Sequence, residues 1–319
     1  MIAVLGGNGH VSSAFAAELE RRGLAFRVLS RSELDYTSFA ALTRFLRREK
    51  PRFLINAAGY TGKPNVDACE TKRADVLLAN VVFPQVVANA CETAGVPWAH
   101  VSSGCVYSGG RILEDGCFRV EKNLALPHLR CLVDERPECV AGYREEDVPN
   151  FSFREPPCSF YSGTKALAEE SLAGAPGVYV WRLRMPFDEV PGPANYLSKL
   201  LRYERVYDNV NSLSHRGDFV RACIDLWERQ AAPGIYNITN PGFVTTRQVI
   251  ACMQRVWKLS RPFAFWEGDE EFYRHAAVAL RSNCVLDSSK LLAAGVRMRP
   301  VMDAVEDALD RWTTGRPDL

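Results

Sequence analysis

The sequence predicts an α/β fold, a doubly wound parallel sheet followed by a smaller, mainly helical C-terminal lobe. Three observations carry this expectation. A short apolar run, Ile2-Ala3-Val4-Leu5, leads into a glycine turn that opens a helical pattern. Short β-branched or aromatic runs then alternate with helical patterns through the first half, the sequence form of a parallel sheet covered by helices on both faces. After Pro186 helical patterns dominate and strands become sparse.

Taken in order, strands are expected at Ile2–Leu5, Phe26–Leu29, Phe53–Asn56, Trp98–Ser102 and Val178–Arg182. Between them, Ser12–Arg22, Tyr36–Arg48, Arg73–Thr93 and Tyr161–Leu172 place apolar residues three and four apart and read as helices. This is a Rossmann-like wind over residues 1–184. From about 104 to 157 the pattern fails, with Gly, Pro, Cys and charge mixed without period, so a loop-rich insertion is expected there. Residues 185–319 read as a substrate-binding lobe, with helices at Thr245–Trp257 and Val301–Trp312 and some segments returning to the first domain. The 319 residues are ample for such a core without disulfide or metal staples.

Lys and Arg number 39 against 38 Asp and Glu, which gives no electrostatic reason to expect nucleic acid or an anionic membrane as partner. A small-molecule enzyme fits best. The first residues hold no basic region, cleavage site or membrane-length apolar stretch, so a cytoplasmic protein is expected. The ten cysteines are read as free thiols. Cys117, Cys131, Cys139 and Cys158 have irregular spacing with no C-x-x-C, so no metal site is expected.

Gly6-Gly7-Asn8-Gly9-His10-Val11-Ser12 lies where a phosphate-binding turn belongs, between a strand and a helix N-terminus. Glycine there lets the backbone approach a pyrophosphate, and the free N–H groups and helix dipole favour its charge. The spacing is G-x-x-G-x-x-S, with serine at a position where close helix–sheet packing asks for a small residue. The second strand ends in Ser30-Arg31, a hydroxyl and a guanidinium suited to a 2′-phosphate, so NADP(H) is favoured. Glu33 and Asp35 lie close enough to keep NAD(H) open.

Tyr161-Ser162-Gly163-Thr164-Lys165 sets a phenol and an ammonium four residues apart on one helical face. A phenol with pKa near ~10 is a poor acid–base catalyst at neutral pH, and an adjacent ammonium brings it down. The run ending in Ser102-Ser103 places a hydroxyl at the C-terminal edge of the sheet, where open α/β folds bind ligands. Ser103, Tyr161 and Lys165 then form a set in which Ser103 holds a substrate oxygen, Tyr161 donates its proton and Lys165 tunes it.

Nearly end to end, the chain resembles the extended short-chain dehydrogenase/reductase family. Within it the chain resembles the dTDP-4-dehydrorhamnose reductases and, more closely, the plant-type UDP-4-keto-6-deoxyglucose 3,5-epimerase/4-reductases. The resemblance rests on Ile55-Asn56-Ala57-Ala58-Gly59, Thr61-Gly62-Lys63-Pro64-Asn65-Val66-Asp67, Cys69-Glu70, Ser103-Gly104-Cys105-Val106-Tyr107 and Glu145-Glu146-Asp147. It continues through Pro149-Asn150-Phe151, Ser159-Phe160-Tyr161, Arg182-Leu183-Arg184-Met185-Pro186, Asn195-Tyr196-Leu197-Ser198-Lys199, Thr239-Asn240-Pro241-Gly242 and Arg281-Ser282-Asn283. It implies that Cys105 and Lys199 are the acid–base pair for proton exchange at C3 and C5. It further implies that Asn56, Ala57, Ala58 and Gly59 wall the cofactor with Gly6, Asn8, Gly9, His10, Val11, Ser30, Arg31 and Met185, that Asn80 supports the site, and that Lys165 holds the nicotinamide ribose. Lys63, Asn65, Tyr107, Asn195, Lys199 and Arg281 are placed near the sugar or its diphosphate.

The resemblance therefore implies an NADPH-dependent 4-ketoreductase acting on a 4-keto-6-deoxy nucleotide sugar, with 3,5-epimerisation as an added capability, and it leaves room for a homodimer. One alternative is an epimerase that retains NAD. Dehydration is disfavoured, because Gly104-Cys105 stands where dehydratases carry Asp-Glu. A further alternative is a non-catalytic NADP-binding regulatory subunit, against which the intact Ser103, Tyr161 and Lys165 argue. The insertion, with Arg111, Glu114, Arg119, Lys122, Arg130 and Arg154, departs from the family.

Overall fold

Four fully buried residues, Ile2, Ala3, Val4 and Leu5, form the strand from which the architecture grows, since a strand apolar on both faces must be covered on both. The computed structural model describes residues 1–313. In chain order the framework is β1 (Ile2–Leu5), α1 (His10–Arg21), β2 (Phe26–Leu29), α2 (Phe39–Glu49), β3 (Phe53–Asn56), α3 (Arg73–Ala94) and β4 (Trp98–Ser103). The insertion follows, and then α5 (Phe160–Leu172), β8 (Val178–Leu183), α6 (Tyr196–Arg202), α7 (Arg216–Glu228), β9 (Gly234–Asn237), α8 (Thr246–Trp257) and α9 (Val301–Asp310). All six strands of the central sheet run parallel in the order β2-β1-β3-β4-β8-β9. The sixth, β9, and the helix before it come from the C-terminal half, α7 packing Phe219 edge-on to Phe15 of α1 at 6.2 Å. The order of strands reverses at β1, so the crevice for a ligand opens between the C-terminal ends of β1 and β3.

One face of the sheet is covered by α1 and α7 around Phe15, Trp181, Phe53 and Phe219. The other face is covered by α2 and α3 around Leu42, Phe45, Leu46, Phe83 and Val87. Burying each such side chain contributes about 1.5–3 kcal/mol. α3 is the one helix among the described residues long and apolar enough to cross a membrane by length and composition. Its Phe83, Val87, Ala90 and Cys91 lie in the second core. The chain carries a π-helical stretch within α3, Leu78–Val82, whose significance appears at the site.

The insertion is folded rather than loop-rich. β5 (Gly110–Glu114) and β6 (Cys117–Glu121) form an antiparallel hairpin, α4 (Pro127–Glu135) packs against it, and β7 (Val140–Ala141) completes a three-stranded sheet. Ile112, Leu124, Leu129, Val133 and Val140 make a small core with Val210 and Val285 of the C-terminal half. Periodicity missed the hairpin because Cys117 through Val120 are all exposed, which removes the alternation of a half-buried strand. The turn is Asp115-Gly116, with φ of 50° and 79°, the two positive values of a type I′ hairpin loop.

In the C-terminal lobe, α8 and α9 pack face to face, with Trp257 edge-on to Trp312 at 5.1 Å. The Trp257 indole N–H donates to the Leu309 carbonyl at 2.9 Å. A capping box at Thr245 and Gln248 starts α8, each residue's side chain satisfying the other's backbone N–H.

Candidate active site

At the end of β1, Gly6 and Gly7 take φ of 127° and 52°, and their N–H groups bond the Leu29 carbonyl of β2. A Cβ on Gly6 would lie 3.2 Å from the Ala57 carbonyl, and one on Gly9 would lie 3.1 Å from the Gly6 carbonyl. The positive φ of Gly6 together with its close approach to Ala57, just past β3, favours glycine there, and Gly9 is tight against the turn itself. Ser12, the departure from a third glycine, is fully buried, and its hydroxyl donates to the Gly7 carbonyl at 2.6 Å, so it braces the turn from within. The first turn of α1 holds no acidic residue and its N-cap offers no side chain, leaving its N–H groups available to an anion.

His10 opens α1 beside two cations. Burial first, then Arg216 and Lys199, hold its imidazole down to about 4, so it is neutral at pH 7. Its Nε2 is buried without a hydrogen-bond partner, while Arg216 donates to the His10 carbonyl at 3.0 Å. A glycine cradle, a free helix N-terminus and an orphaned imidazole nitrogen next to Arg216 and Lys199 fit the diphosphate of a dinucleotide. Asn8 is exposed and Val11 half-buried at the same turn.

At the end of β2, Ser30 is already engaged. Its N–H and its hydroxyl both donate to the Glu33 carboxylate, at 2.9 and 2.8 Å, and these bonds hold Glu33 below the usual carboxylate range. Arg31 is exposed beside it. The ribose end thus presents a guanidinium and a carboxylate together.

Asn56 to Gly59 extend from β3 along the crevice, and Asn80 fixes their far end. Its amide accepts from the Tyr60 N–H at 2.8 Å and donates to the Tyr60 carbonyl at 2.9 Å, while reaching Thr164 of α5 at 3.4 Å. Asn80 sits in the π-helical stretch of α3, and the extra residue in that turn marks the place where α3 serves the site.

The catalytic set is built at the edge of β4. Ser103 ends the strand, and its hydroxyl accepts the Cys105 N–H at 3.3 Å, capping the tight turn Gly104–Val106. α5 begins at Ser159, whose hydroxyl accepts the Ser162 N–H at 3.1 Å, and Glu70 accepts the Phe160 N–H at 2.8 Å. These bonds set the first turn of α5, so Tyr161 and Lys165 follow one turn apart. Gly163 between them has a separate reason: a Cβ there would lie 2.2 Å from the ring of Phe153, at the end of the insertion.

Burial pushes the Tyr161 phenol well above its ordinary value, with the thiols of Cys105 and Cys69 adding to the shift. A hydrogen bond with Ser103 and the charge of Arg184 pull the other way. Lys165 follows one turn later on α5. It is buried, its own pKa lowered by that burial, and its Nζ contacts His100 Nε2 at 3.4 Å and donates to the Val101 carbonyl at 3.3 Å. Arg184 thus adds a cation beside the Lys165 expected to tune Tyr161.

Arg184 is the site residue the sequence reading did not assign. It is 7% exposed, its Nη2 donates to Asn211 at 2.6 Å and to the Ser282 carbonyl, and its Nε has no partner. Burial raises the Cys105 thiol above its usual value, with Ser103, the same guanidinium and Lys165 opposing the rise. Lys199, on α6, is held below its usual value by burial and then by Arg202. Met185, at the bend before α6, takes φ of 39° and is half-buried.

Among the residues expected at the sugar, Arg281 is paired with Asp67, Nη1 and Nη2 reaching its two oxygens at 2.7 and 2.9 Å. Asp67 also accepts the N–H groups of Val278 and Ala279, so this clasp joins the loop after β3 to the C-terminal lobe. Asn65 caps the same loop by accepting the Asp67 N–H at 2.8 Å, and Lys63 is exposed on it. Two expectations fail. Tyr107 is fully buried, stacked on Tyr143, with its hydroxyl donating to the Asp147 carbonyl and accepting from Arg182, so it braces the fold beneath the site. Asn195 is fully buried too: it caps α6 through Leu197 N–H, and its Nδ2 is taken by Asp188 and Val190.

A family profile described as the RmlD substrate binding domain matches residues 1–313. The chain is 31% identical over 291 residues to a bifunctional dTDP-4-dehydrorhamnose 3,5-epimerase/dTDP-4-dehydrorhamnose reductase of Arabidopsis thaliana, covering 90% of this chain and 85% of that protein. It is 29% identical to an Arabidopsis trifunctional UDP-glucose 4,6-dehydratase/UDP-4-keto-6-deoxy-D-glucose 3,5-epimerase/UDP-4-keto-L-rhamnose reductase, covering 98% of this chain but 41% of that longer protein. In fold it is similar to the L780 UDP-rhamnose synthase of Acanthamoeba polyphaga mimivirus, with a TM-score of 0.80 at 21% identity over 98% and 99% of the two chains. It is similar too to a Bacillus anthracis dTDP-4-dehydrorhamnose reductase in complex with NADP, with a TM-score of 0.74 at 18% identity over 98% of each.

Proposed function

Because the chain belongs to the RmlD substrate-binding domain family, we propose that it reduces the C4 ketone of a 4-keto-6-deoxy nucleotide sugar with NADPH and exchanges protons at C3 and C5 in the same pocket. The observation that carries this reading is the convergence of Ser103, Tyr161 and the Cys105 thiol under the charge of Arg184 at the C-terminal edge of β4. The relatives named for both activities support it, and their dTDP and UDP substrates leave two carriers to test.

A bound NADPH supplies the hydride. Gly6, Gly9, His10 and the N–H groups of α1 hold its diphosphate, and Asn56 to Gly59, tied down through Asn80, wall its far side. Ser103 donates a hydrogen bond to the C4 oxygen, and Tyr161 gives its phenolic proton to that oxygen as charge develops there. A phenol raised by burial stays protonated across the neutral range, which suits an acid in the reducing direction. For epimerisation a base removes a proton α to the ketone, the resulting enolate is stabilised by Ser103 and Tyr161, and a proton returns to the opposite face. Cys105 and Lys199 are the two groups for this exchange: burial raises the thiol, with Ser103 and Arg184 opposing, so it keeps a proton to give, while desolvation lowers the Lys199 ammonium.

The test uses purified protein, NADPH and dTDP- or UDP-4-keto-6-deoxyglucose in deuterated water, read by cofactor absorbance, mass spectrometry and NMR. Cofactor oxidation with deuterium at C3 and C5 is expected. Consumption of neither nucleotide sugar sinks the reading. Cys105→Ala is expected to lower deuterium uptake by about 10²-fold or more, while a substrate epimerised beforehand is still reduced within a few-fold of the wild-type rate. Equal loss of both activities would place Cys105 in packing alone.

Glu33 makes a separate prediction. A carboxylate about 4 Å from a 2′-phosphate opposes it by about 1 kcal/mol in water-like surroundings. Glu33→Gln keeps an acceptor for Ser30, so the ratio of kcat/KM for NADPH over NADH is expected to rise about fivefold. An unchanged ratio would remove Glu33 from cofactor choice.

A further inference from the structure

Arg182 and Arg184 are the two buried arginines among the described residues, 1% and 7% exposed, one inside β8 and the other just past its end. Their surroundings differ. Arg182 is paired with Glu169 at 2.6 Å, whereas no carboxylate of the described residues forms an ion pair with Arg184. Arginine keeps its charge in proteins, and a buried charge with no counter-ion is strongly unfavourable. Nor is the side chain free to seek a partner elsewhere. The Arg184 N–H donates to Ser214 Oγ at 2.9 Å, and its carbonyl accepts the Ser214 N–H at 2.7 Å. Nη2 is tied to Asn211 Oδ1, which in turn accepts the Cys284 N–H at 3.1 Å. Nε is buried and unpartnered.

Strand register decides what this cation faces. β4 and β8 pair with Ser103 opposite Leu183, so Arg184 leaves the sheet edge beside Gly104. Its Cδ, the atom that carries Nε, lies 3.6 Å from where a Cβ on Gly104 would stand. The next residue is Cys105, 4% exposed. The ionisable groups on which the guanidinium acts are Cys105, Cys284, Tyr161 and Tyr196, all uncharged while they hold their protons. Tyr161 has Lys165 one turn along its own helix, whereas the stem of Arg184 lies against the residue before Cys105. We propose that Arg184 is a positioning residue for epimerisation, an unpaired counter-ion fixed beside Gly104 whose free Nε–H is taken up only while Cys105 has given its proton away. The inference deepens the epimerase part of the proposed function and rests on Cys105 as its proton donor.

The charges balance at each step. The Lys199 amine takes a proton from the carbon α to the ketone and becomes an ammonium, while the C–H electron pair makes the enolate. The Cys105 S–H then protonates that carbon from the opposite face, the C4 carbonyl re-forms, and sulfur is left as a thiolate. Ammonium and thiolate return to their starting forms by proton exchange with water. The thiolate is the costly species, because burial raises this thiol. After the hydrogen bond of Ser103, Arg184 opposes that rise more than Lys165 does, with Ser162 adding a further hydrogen bond. Cys69, Cys158 and Tyr161 also face the thiol and supply no positive charge. Without Arg184 the thiol should therefore ionise at higher pH. Reduction makes no thiolate, so it should depend on Arg184 far less.

Charge and packing are separated by two variants. Arg184→Gln keeps an amide donor for Asn211 without the charge, and Arg184→Lys keeps the charge on a shorter reach. Deuterium uptake at C3 and C5 is expected to fall about 10- to 100-fold in Arg184→Gln, the effect of one to two pK units on the thiol. Reduction of a substrate epimerised beforehand should stay within a few-fold of wild type, and Arg184→Lys should recover most of the deuterium uptake. In the protein without substrate, iodoacetamide labelling of the Cys105 peptide is followed by mass spectrometry against pH until the rate levels off. Its midpoint should lie about one unit higher in Arg184→Gln than in wild type. If Arg184→Gln does not fold, Arg184→Met, unbranched and uncharged, is held to the same criteria. Equal loss of exchange and reduction, a KM increase shared by both, or an unmoved labelling midpoint overturns the proposal. If the wild type consumes neither nucleotide sugar, the functional reading fails, while the labelling midpoint still decides whether Arg184 is the counter-ion of Cys105.

Discussion

Tyr161→Phe is expected to lower kcat for ketone reduction by about 10³-fold, within the range for removing a positioned general acid. The loss should fall on kcat, with the dissociation constant of NADPH and the KM of the sugar changed little. The reason is geometric. The ring lies on α5 over the Ser103 edge, so phenylalanine keeps its volume and packing while removing only the proton that the C4 oxygen needs. The check is a stopped-flow or steady-state comparison with circular dichroism on the same preparation. A loss smaller than about tenfold would assign the proton to another group and leave Tyr161 as part of the wall.

Glu169→Ala is expected to destabilise the protein by about 3–5 kcal/mol, the cost of stranding a buried partner charge. Arg182 is 1% exposed, and its guanidinium bonds Glu169 through Nε and Nη2, at 3.0 and 2.6 Å to the same oxygen. Its remaining nitrogen reaches the hydroxyl of Tyr107 at 3.1 Å and the amide of Asn237 at 3.4 Å. These contacts join β8, α5, β9 and the insertion at one point beneath the catalytic edge. Removing the carboxylate leaves the guanidinium buried and uncompensated, whereas Glu169→Leu with Arg182→Met removes both charges and should recover most of the loss. Urea unfolding of the single and double variants decides it. A double variant no more stable than the single one would show that the pair has worth beyond its mutual charge compensation.

The middle of the sheet was legible because β1 and β3 are buried on both faces, and continuous apolar runs such as Ile2–Leu5 and Phe53–Asn56 read as strands between a glycine turn and a helix, whereas the edge strand β9, partly exposed and opening on Gly234, was not read. The phosphate turn and the Tyr161–Lys165 spacing were legible for a similar reason, since both are local in sequence. What was hidden depends on residues far apart in the chain. His100 and Asn56 are opposite one another only because β3 and β4 pair in that register. Glu70 meets the Phe160 N–H, and Arg184 meets Tyr161 and Cys105, only in the folded chain. Tyr107 and Asn195 were misplaced because a polar side chain in a family motif reads as a ligand-binding group, and only the structure shows that its hydrogen bonds are spent inside the protein.

The seat of Phe153 on Gly163 gives the middle of the catalytic motif a history of its own. Ten positions separate the two residues, and the aromatic ring occupies the space a side chain at Gly163 would need. Chains descended from a common ancestor cannot exchange this glycine for alanine while keeping the ring in place. The two positions should therefore be inherited as a unit, and where one lineage has lost the aromatic residue the glycine is released to drift.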